Sequence, residues 1–101
     1  MREYELYLVI DAEAEEETLG AIIDRVTQLI AVGDGETDGE MIKVNPRGKR
    51  RLAYPIRRKT ESQDVILTFQ TSPVALPELE RFLKLSEQVL RYLIVRTDEE
   101  K

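Results

Sequence analysis

The sequence lacks cysteine, histidine and tryptophan altogether. Without cysteine the chain has no disulfides and no thiolate metal sites, and without histidine the common general base and metal ligand are both missing. No apolar run approaches the roughly 20 residues that span a bilayer. The opening "MREYELYLVIDAEAEEE" turns acidic where a signal peptide would present a cleavage site. We therefore expect a cytoplasmic protein in a reducing setting, with no metal, no cofactor and no membrane contact.

Acidic residues are absent from one long stretch of an otherwise acidic chain. The 101 residues contain 15 Lys+Arg and 20 Asp+Glu, a formal net charge of -5. Residues 41 to 60 hold eight of the basic residues and no acid, so the other 81 residues have seven basic against twenty acidic residues, a net charge of -13. The asymmetry, rather than the total, indicates a surface for an anionic partner.

The length and the apolar content of 42% fit a single domain with one hydrophobic core. We predict one domain over residues 1–97 and a short charged, mobile tail at 98–101. No internal repeat or low-complexity segment is present.

The order of apolar patterns predicts six main elements. Residues 2–10 alternate as a strand, with Tyr4, Leu6, Leu8 and Ile10 on one face. A helix follows whose core face is Leu19, Ile22, Ile23, Val26, Leu29 and Ile30, with Gly33 as its terminator. After the flexible connection "DGETDG", the segments "EMIKVN" and "KRRLAYPI" form one long strand, which a bulge near Pro46 and Gly48 interrupts and re-aims.

The second half of the chain is predicted to have the same order of elements, a strand, a helix and a strand. A polar turn, "KTESQD", leads to a third strand, "VILTFQT". A second helix begins either at Ser72 and Pro73 or at Leu76 and Pro77, and its core face is Leu79, Phe82 and Leu83. The fourth strand is "QVLRYLIVR". This order predicts an α+β, ferredoxin-like split βαβ sandwich, in which a four-stranded antiparallel sheet carries both helices on one face.

The opposite face of that sheet is expected to be apolar and uncovered, which favours a partner protein. The alternative is that these side chains only shield one another. Arg91 meets RNA or the partner, or is a surface charge near Glu3 or Glu5. The predicted partner-binding residues are Tyr7, Val9, Arg91, Leu93 and Val95.

The basic strand and loop are expected to neutralise RNA phosphates. Edge strands also carry charge simply to prevent aggregation, but that reading does not explain twenty residues without an acid. Tyr54 either stacks on a base or packs in the core, and packing is the favoured interpretation. The predicted RNA-binding residues are Arg2, Arg47, Lys49, Arg50, Arg51, Arg57, Arg58 and Lys59.

Three segments carry a family resemblance: "MREYELYLVI", "RGKRRLAYPI" at 47–56 and "LPELERFLKLSEQVLRYLIVR" at 76–96. Together they resemble the ribosomal protein six family of the bacterial small subunit over nearly the whole chain. The resemblance implies a structural role in that subunit, binding its RNA beside ribosomal protein eighteen. Two departures concern the hairpin: Arg47 stands where the family often has a bulky apolar residue, and "SQDV" stands where it often has glycine and tyrosines.

Other classes share the same plan. An RNA recognition motif would place aromatic residues at alternate positions of the third strand, and only Phe69 is present there. An acylphosphatase binds phosphate in the loop after the first strand, but here that loop, "DAEAEEE", carries five acids. We therefore expect no enzyme and no small-molecule substrate. A non-ribosomal ligand-binding or regulatory module that dimerises through its sheet remains the alternative.

Overall fold

The computed structural model describes residues 2–32 and 38–97. The elements in chain order are β1 (Arg2–Asp11), α1 (Glu16–Ile30), β2 (Glu40–Ile56), β3 (Lys59–Thr71), α2 (Leu76–Leu85) and β4 (Val89–Arg96). The strands form one antiparallel sheet in the order β2-β3-β1-β4. The predicted split βαβ architecture is confirmed. Gly33, most of the "DGETDG" connection and the tail at 98–101 lie outside the described residues.

The hydrophobic core lies between one face of the sheet and both helices. Alternate residues of β1 and β3 point into it, as the period of two requires. Helix α1 contributes Ile22, Val26 and Ile30, and α2 contributes Leu79 and Leu83. Burial of these apolar faces, rather than intrinsic helix propensity, stabilises both helices. The buried strand residues are Tyr4, Leu6, Leu8, Ile10, Val65, Leu67, Phe69 and Val89.

Both predicted starts of the second helix are present in succession. The Ser72 hydroxyl accepts a hydrogen bond from the Val74 amide at 3.5 Å and begins a short 3-10 turn, Pro73–Ala75. The α-helix α2 then begins at Leu76, with Pro77 in its first turn, where a missing amide donor is tolerated. Neither α-helix in residues 2–32 and 38–97 combines the length and apolar character needed to cross a bilayer.

The hairpin between β2 and β3 is longer than the sequence predicted. The segment "KTESQD" is not a turn, because β3 already begins at Lys59 and runs through it. The turn consists of Arg57 and Arg58 alone, with φ angles of 50° and 67°. A two-residue hairpin turn needs positive φ at both positions and usually has Asn or Gly there. An arginine pair carries no such signal, so the polar residues after it suggested a turn that is absent.

The predicted bulge in β2 is confirmed. The register of β2 against β3 shifts between Pro46, opposite Val65, and Gly48, opposite Asp64. Gly48 has a φ of 82°, a conformation that glycine adopts without a steric penalty. Since β2 pairs only with β3, it is an edge strand of the described sheet, and its proline at 46 fits that position.

The return from α1 to β2 depends on a close approach of backbone segments. The Gly39 amide donates a hydrogen bond to the Ala31 carbonyl at 3.1 Å. A Cβ at Gly39 would overlap the carbonyl oxygen of Ile30. That same oxygen accepts a 2.7 Å hydrogen bond from the buried Thr71 hydroxyl. Only glycine fits here without displacing the end of α1.

Candidate nucleic-acid interface

The basic residues of β2 lie along the exposed edge of the sheet, and the bulge decides which way they point. Residues directly opposite in an antiparallel pair share a face. Arg50 is opposite Ser62, whereas Lys49 is opposite Gln63 and Arg51 is opposite Glu61. Lys49 and Arg51 therefore point to the helix side and Arg50 to the open side. Alternation thus distributes positive charge over both sides of the edge.

The open side of this edge forms a pocket of about 240 Å³ beside the bulge. Its basic members are Arg47 and Arg50, and its apolar members include Tyr7, Val9 and Ile66. The bulge inserts Arg47 as an extra residue between Pro46 and Gly48, which brings the departure from the family pattern into this pocket. The pocket joins the basic edge to the apolar face of the sheet.

One acid balances part of this charge. Asp64 accepts a 2.7 Å hydrogen bond from the Ser62 hydroxyl, and the Arg50 Nε lies 3.9 Å from its second carboxylate oxygen. The Arg50 side chain remains 60% exposed. At this distance and exposure the ion pair leaves the guanidinium accessible to a phosphate, because exposed pairs are weak.

The tip of the β2–β3 hairpin, residues 52–58, is only loosely paired with the rest of the sheet. Between Arg51 and Ile56, residues of β2 have no register partner on β3. Tyr54 lies in this unpaired stretch and is 78% exposed. The favoured interpretation that Tyr54 packs in the core is therefore wrong. Alternation along a strand predicts which face of the sheet a side chain lies on only where the strand stays paired with its neighbour. Here Pro55 removes an amide donor and the pairing with β3 is interrupted.

Contacts at the base of the tip tie it to two neighbouring loops. The Lys59 ammonium lies 3.2 Å from an Asp11 carboxylate oxygen and 3.5 Å from one of Glu13. Arg57 donates a hydrogen bond to the Glu87 carbonyl at 3.2 Å. Gln63 donates from its side-chain amide to the Asp11 and Ala14 carbonyls, both at 2.9 Å. Two predicted RNA ligands, Arg57 and Lys59, are thus also engaged within the protein.

The electrostatics of Lys59 and Asp11 agree with these contacts. The hydrogen bond to Asp11 and its charge, with that of Glu13, raise the pKa of Lys59. A hydrogen bond from the Glu13 amide, at 2.9 Å, is the main reason that the pKa of Asp11 is lowered, and Lys59 lowers it further. Both groups are charged at neutral pH, and the lysine offsets part of the acidity of the β1–α1 loop.

Arg2 is separated from the other predicted RNA ligands. It is opposite Thr71 at the start of β1, whereas the hairpin tip adjoins Asp11 at the other end of that strand. The length of β1, roughly 30 Å at 3.4 Å per residue, lies between them. A contact between Arg2 and RNA stays a prediction, but it would belong to a different part of the surface.

The open face of the sheet brings the predicted partner-binding residues together. Tyr7 is opposite Leu93 on one side and Ile66 on the other, and Val9 is opposite Arg91. Leu93 is 58% exposed, and Tyr7 and Val95 are also exposed. This much exposure argues against mutual shielding. Ile66 belongs to the same patch, which the alternation of "VILTFQT" around buried Val65 and Leu67 could have indicated.

Polar groups border this apolar face. The Tyr7 hydroxyl donates a 3.0 Å hydrogen bond to Glu5, which raises the pKa of Tyr7. Arg91 is not beside Glu5, because Glu5 is opposite Val95, four residues further along β4. Glu3 lies still further along, since its carbonyl accepts from the Thr97 amide. The interpretation of Arg91 as a surface charge near Glu3 or Glu5 is therefore wrong, because Arg91 is opposite Val9.

The fold and these two surfaces define a ferredoxin-like α+β domain with the basic edge that is typical of RNA-binding proteins. The sequence profile of the family Ribosomal protein S6 matches residues 3–96. The small ribosomal subunit protein bS6 of Moorella thermoacetica is 40% identical over 100 residues, covering 99% of this chain and 98% of that protein. That of Caldanaerobacter subterraneus subsp. tengcongensis is 41% identical over 99 residues, covering 98% and 100%.

Solved structures agree with the sequence comparison. The crystal structure of the 30S ribosomal protein S6 from Thermotoga maritima superposes with a TM-score of 0.80 at 27% identity, covering 95% of this chain and 87% of that one. The chain belongs to the ribosomal protein S6 family. It is an RNA-binding structural component of the small subunit of the cytoplasmic ribosome, and acts in translation.

Proposed function

We propose that the protein binds small-subunit ribosomal RNA through the β2–β3 hairpin while ribosomal protein eighteen docks on the open face of the sheet. The observation that carries the proposal is the exposed basic edge strand β2 with the turn that follows it, because residues 41 to 60 contain no acid in a chain of net charge -5. The role is structural and requires no catalytic group.

The proposed RNA contacts are mainly to phosphate. Lysine and arginine release condensed counterions from the backbone, which gives affinity that falls steeply with salt. The accessible ligands are Arg47, Lys49, Arg50, Arg51 and Arg58. Because the rest of the chain is strongly acidic, this edge is the surface of lowest electrostatic repulsion toward RNA.

Base stacking on the sheet is not part of the proposal. Phe69, the one aromatic residue of β3, is fully buried in the core and cannot present its ring to a base. Tyr54 is different, because it is exposed and lies in the basic hairpin that also carries Arg51 and Arg58. An exposed aromatic ring among cations is a typical platform for an unpaired base. We include Tyr54 as the stacking residue of the site.

The open face supports the second half of the proposal. Tyr7, Ile66 and Leu93 form adjacent apolar positions across three strands, and a partner that covers them removes that area from water. The pocket that contains Arg47 adjoins this patch, so the partner and the RNA would meet at the same edge. In this proposal the partner would also supply surface and positive charge that the acidic chain lacks.

Titrations of the RNA site at two salt concentrations, with and without ribosomal protein eighteen, test this function. We expect weak binding by the protein alone, tight binding with the partner, and affinity that decreases as salt increases. Binding by the isolated protein that is tight and barely responds to salt would contradict both the electrostatic contact and the need for a partner.

A further inference from the structure

The hairpin tip needs a device that fixes its position. It carries Tyr54, Arg57 and Arg58, yet the pair Ile56 and Lys59 is its sole register match beyond Arg51. A two-stranded ribbon held by so few ladder bonds is marginally stable alone and samples many orientations. Binding RNA with a mobile tip would require ordering it at the moment of contact, which lowers affinity.

We propose that Lys59 is a positioning residue that holds the hairpin tip against the β1–α1 loop, and so orients Arg58 and Tyr54 for RNA. The inference rests on the proposed function for its RNA part. Lys59 sits directly at the turn, and its ammonium bridges two carboxylates, Asp11 at 3.2 Å and Glu13 at 3.5 Å. An ammonium that bridges two carboxylates resists displacement by a phosphate more than one exposed pair does.

The receiving loop is itself rigidly held, which a positioning role requires. The Asp11 amide donates to the Gln88 carbonyl at 2.8 Å, and the Ala14 amide donates to the Asp11 carbonyl at 3.0 Å. The Gln63 side chain closes the loop by donating to both the Asp11 and Ala14 carbonyls. Lys59 therefore attaches the tip to a fixed point. The Asp11 side chain is only 18% exposed, so its pair with Lys59 is partly shielded from solvent.

The competing role for Lys59 is that of a direct phosphate ligand, and the two roles predict opposite signs for one substitution. Asp11→Asn removes a negative charge near the RNA and leaves Lys59 with only the exposed Glu13 carboxylate of the two that it bridges. If Lys59 binds phosphate, this variant binds RNA more tightly than the parent. If Lys59 positions the tip, the variant binds more weakly although its net charge favours RNA. Asparagine keeps the side-chain oxygen that accepts from the Glu13 amide, so the loop turn is retained.

The experiment measures RNA affinity of the complex with ribosomal protein eighteen for Asp11→Asn, Lys59→Gln, Lys59→Arg and the double variant Asp11→Asn/Lys59→Gln. We expect a loss of about two- to five-fold for either neutral single variant, the range of exposed to half-buried ion pairs. Lys59→Arg retains parental affinity, and the double variant binds no more weakly than the weaker single one. Asp24→Asn and Arg25→Gln, on the exposed side of α1, are charge-matched controls.

A second readout uses the free protein. Amide hydrogen exchange over residues 56–61 is expected to accelerate in Asp11→Asn and Lys59→Gln but not in the two controls, while thermal unfolding shows that all variants are folded. Tighter RNA binding by Asp11→Asn than by Asp24→Asn would overturn the inference, as would unchanged affinity in both neutral single variants. If the parent complex binds no RNA, the proposed function fails, and the exchange measurement still decides whether Lys59 holds the tip.

Discussion

Replacing hairpin charges should separate RNA binding from folding. The perturbation is the triple variant Lys49→Gln, Arg51→Gln and Arg58→Gln, which removes three exposed positive charges from the basic edge. A matched variant removes three exposed charges from the helices, through Arg25→Gln, Arg81→Gln and Lys84→Gln. Both variants have the same net charge, so any difference in their RNA affinity depends on where the removed charges lie.

The expected effect on stability is small. Exposed charges contribute about 0 to 1 kcal/mol each to the free energy of unfolding, and many contribute nothing measurable. The reference is Leu83→Ala, because Leu83 is fully buried between α2 and the sheet. Removing such a side chain costs about 2 to 5 kcal/mol. For a domain of this size that corresponds to a decrease in Tm of roughly 8 °C or more.

The expected effect on RNA binding is large. Each phosphate contact contributes about 0.9 to the slope of log K against log salt concentration. Loss of three contacts should therefore decrease the magnitude of that slope by about 2 to 3, whereas the matched helix variant should leave it near the parental value. The assay is a titration of the RNA with the protein and its partner at several salt concentrations, beside thermal unfolding of each free protein. Hairpin variants that melt like Leu83→Ala, or that keep the parental slope, would refute the reasoning.

Four further predictions follow from single positions. Leu93→Asp should weaken docking of the partner protein by more than tenfold, measured by titration of the two proteins, because it places a charge in a covered apolar contact; unchanged docking would remove the open face as the interface. Tyr54→Ala should lower RNA affinity by about 1 to 3 kcal/mol while Tyr54→Phe keeps it, and equal losses would exclude stacking. Gly39→Ala should lower the free energy of unfolding, measured by denaturant titration, by about several kcal/mol, because the added Cβ would overlap the backbone at the end of α1. Wild-type stability would show that the end of α1 adapts. Because the pKa of Asp11 is lowered in the folded protein, its carboxylate stabilises the fold at pH values above the ordinary pKa of aspartate. This stabilisation is lost as the pH falls through the pKa of Asp11 in the folded state. The parent should thus lose more stability than Asp11→Asn between about pH 5 and pH 2, and parallel curves would contradict this.

Most of the fold was predictable because its strands alternate over a buried face. Tyr4, Leu6 and Leu8 repeat with a period of two, and α1 and α2 repeat their apolar residues with the period of a helix. These patterns indicate directly which residues are buried. The order of helices and strands then restricts the fold to a small number of possible topologies. The bulge was also visible, since Pro46 and Gly48 interrupt a strand in a recognisable way.

The hairpin tip was not predictable to the same degree, because its geometry depends on contacts between distant segments. Arg57 and Arg58 form the turn with positive φ, a conformation that arginine does not signal. The pairing of Lys59 with Asp11 joins residues 48 positions apart, which no local pattern encodes. Tyr54 was misassigned for a related reason: its strand leaves the ladder, and alternation no longer reports which residues are buried.

The most direct test of the account is a pair of photo-crosslinks in small subunits assembled with this protein. One photoreactive residue replaces Arg58 at the hairpin tip, and the other replaces Leu93 on the open face of the sheet. The account predicts that the probe at position 58 links to ribosomal RNA and that the probe at position 93 links to ribosomal protein eighteen. Crosslinks in the opposite sense, or a protein that does not co-sediment with small subunits at all, would contradict it.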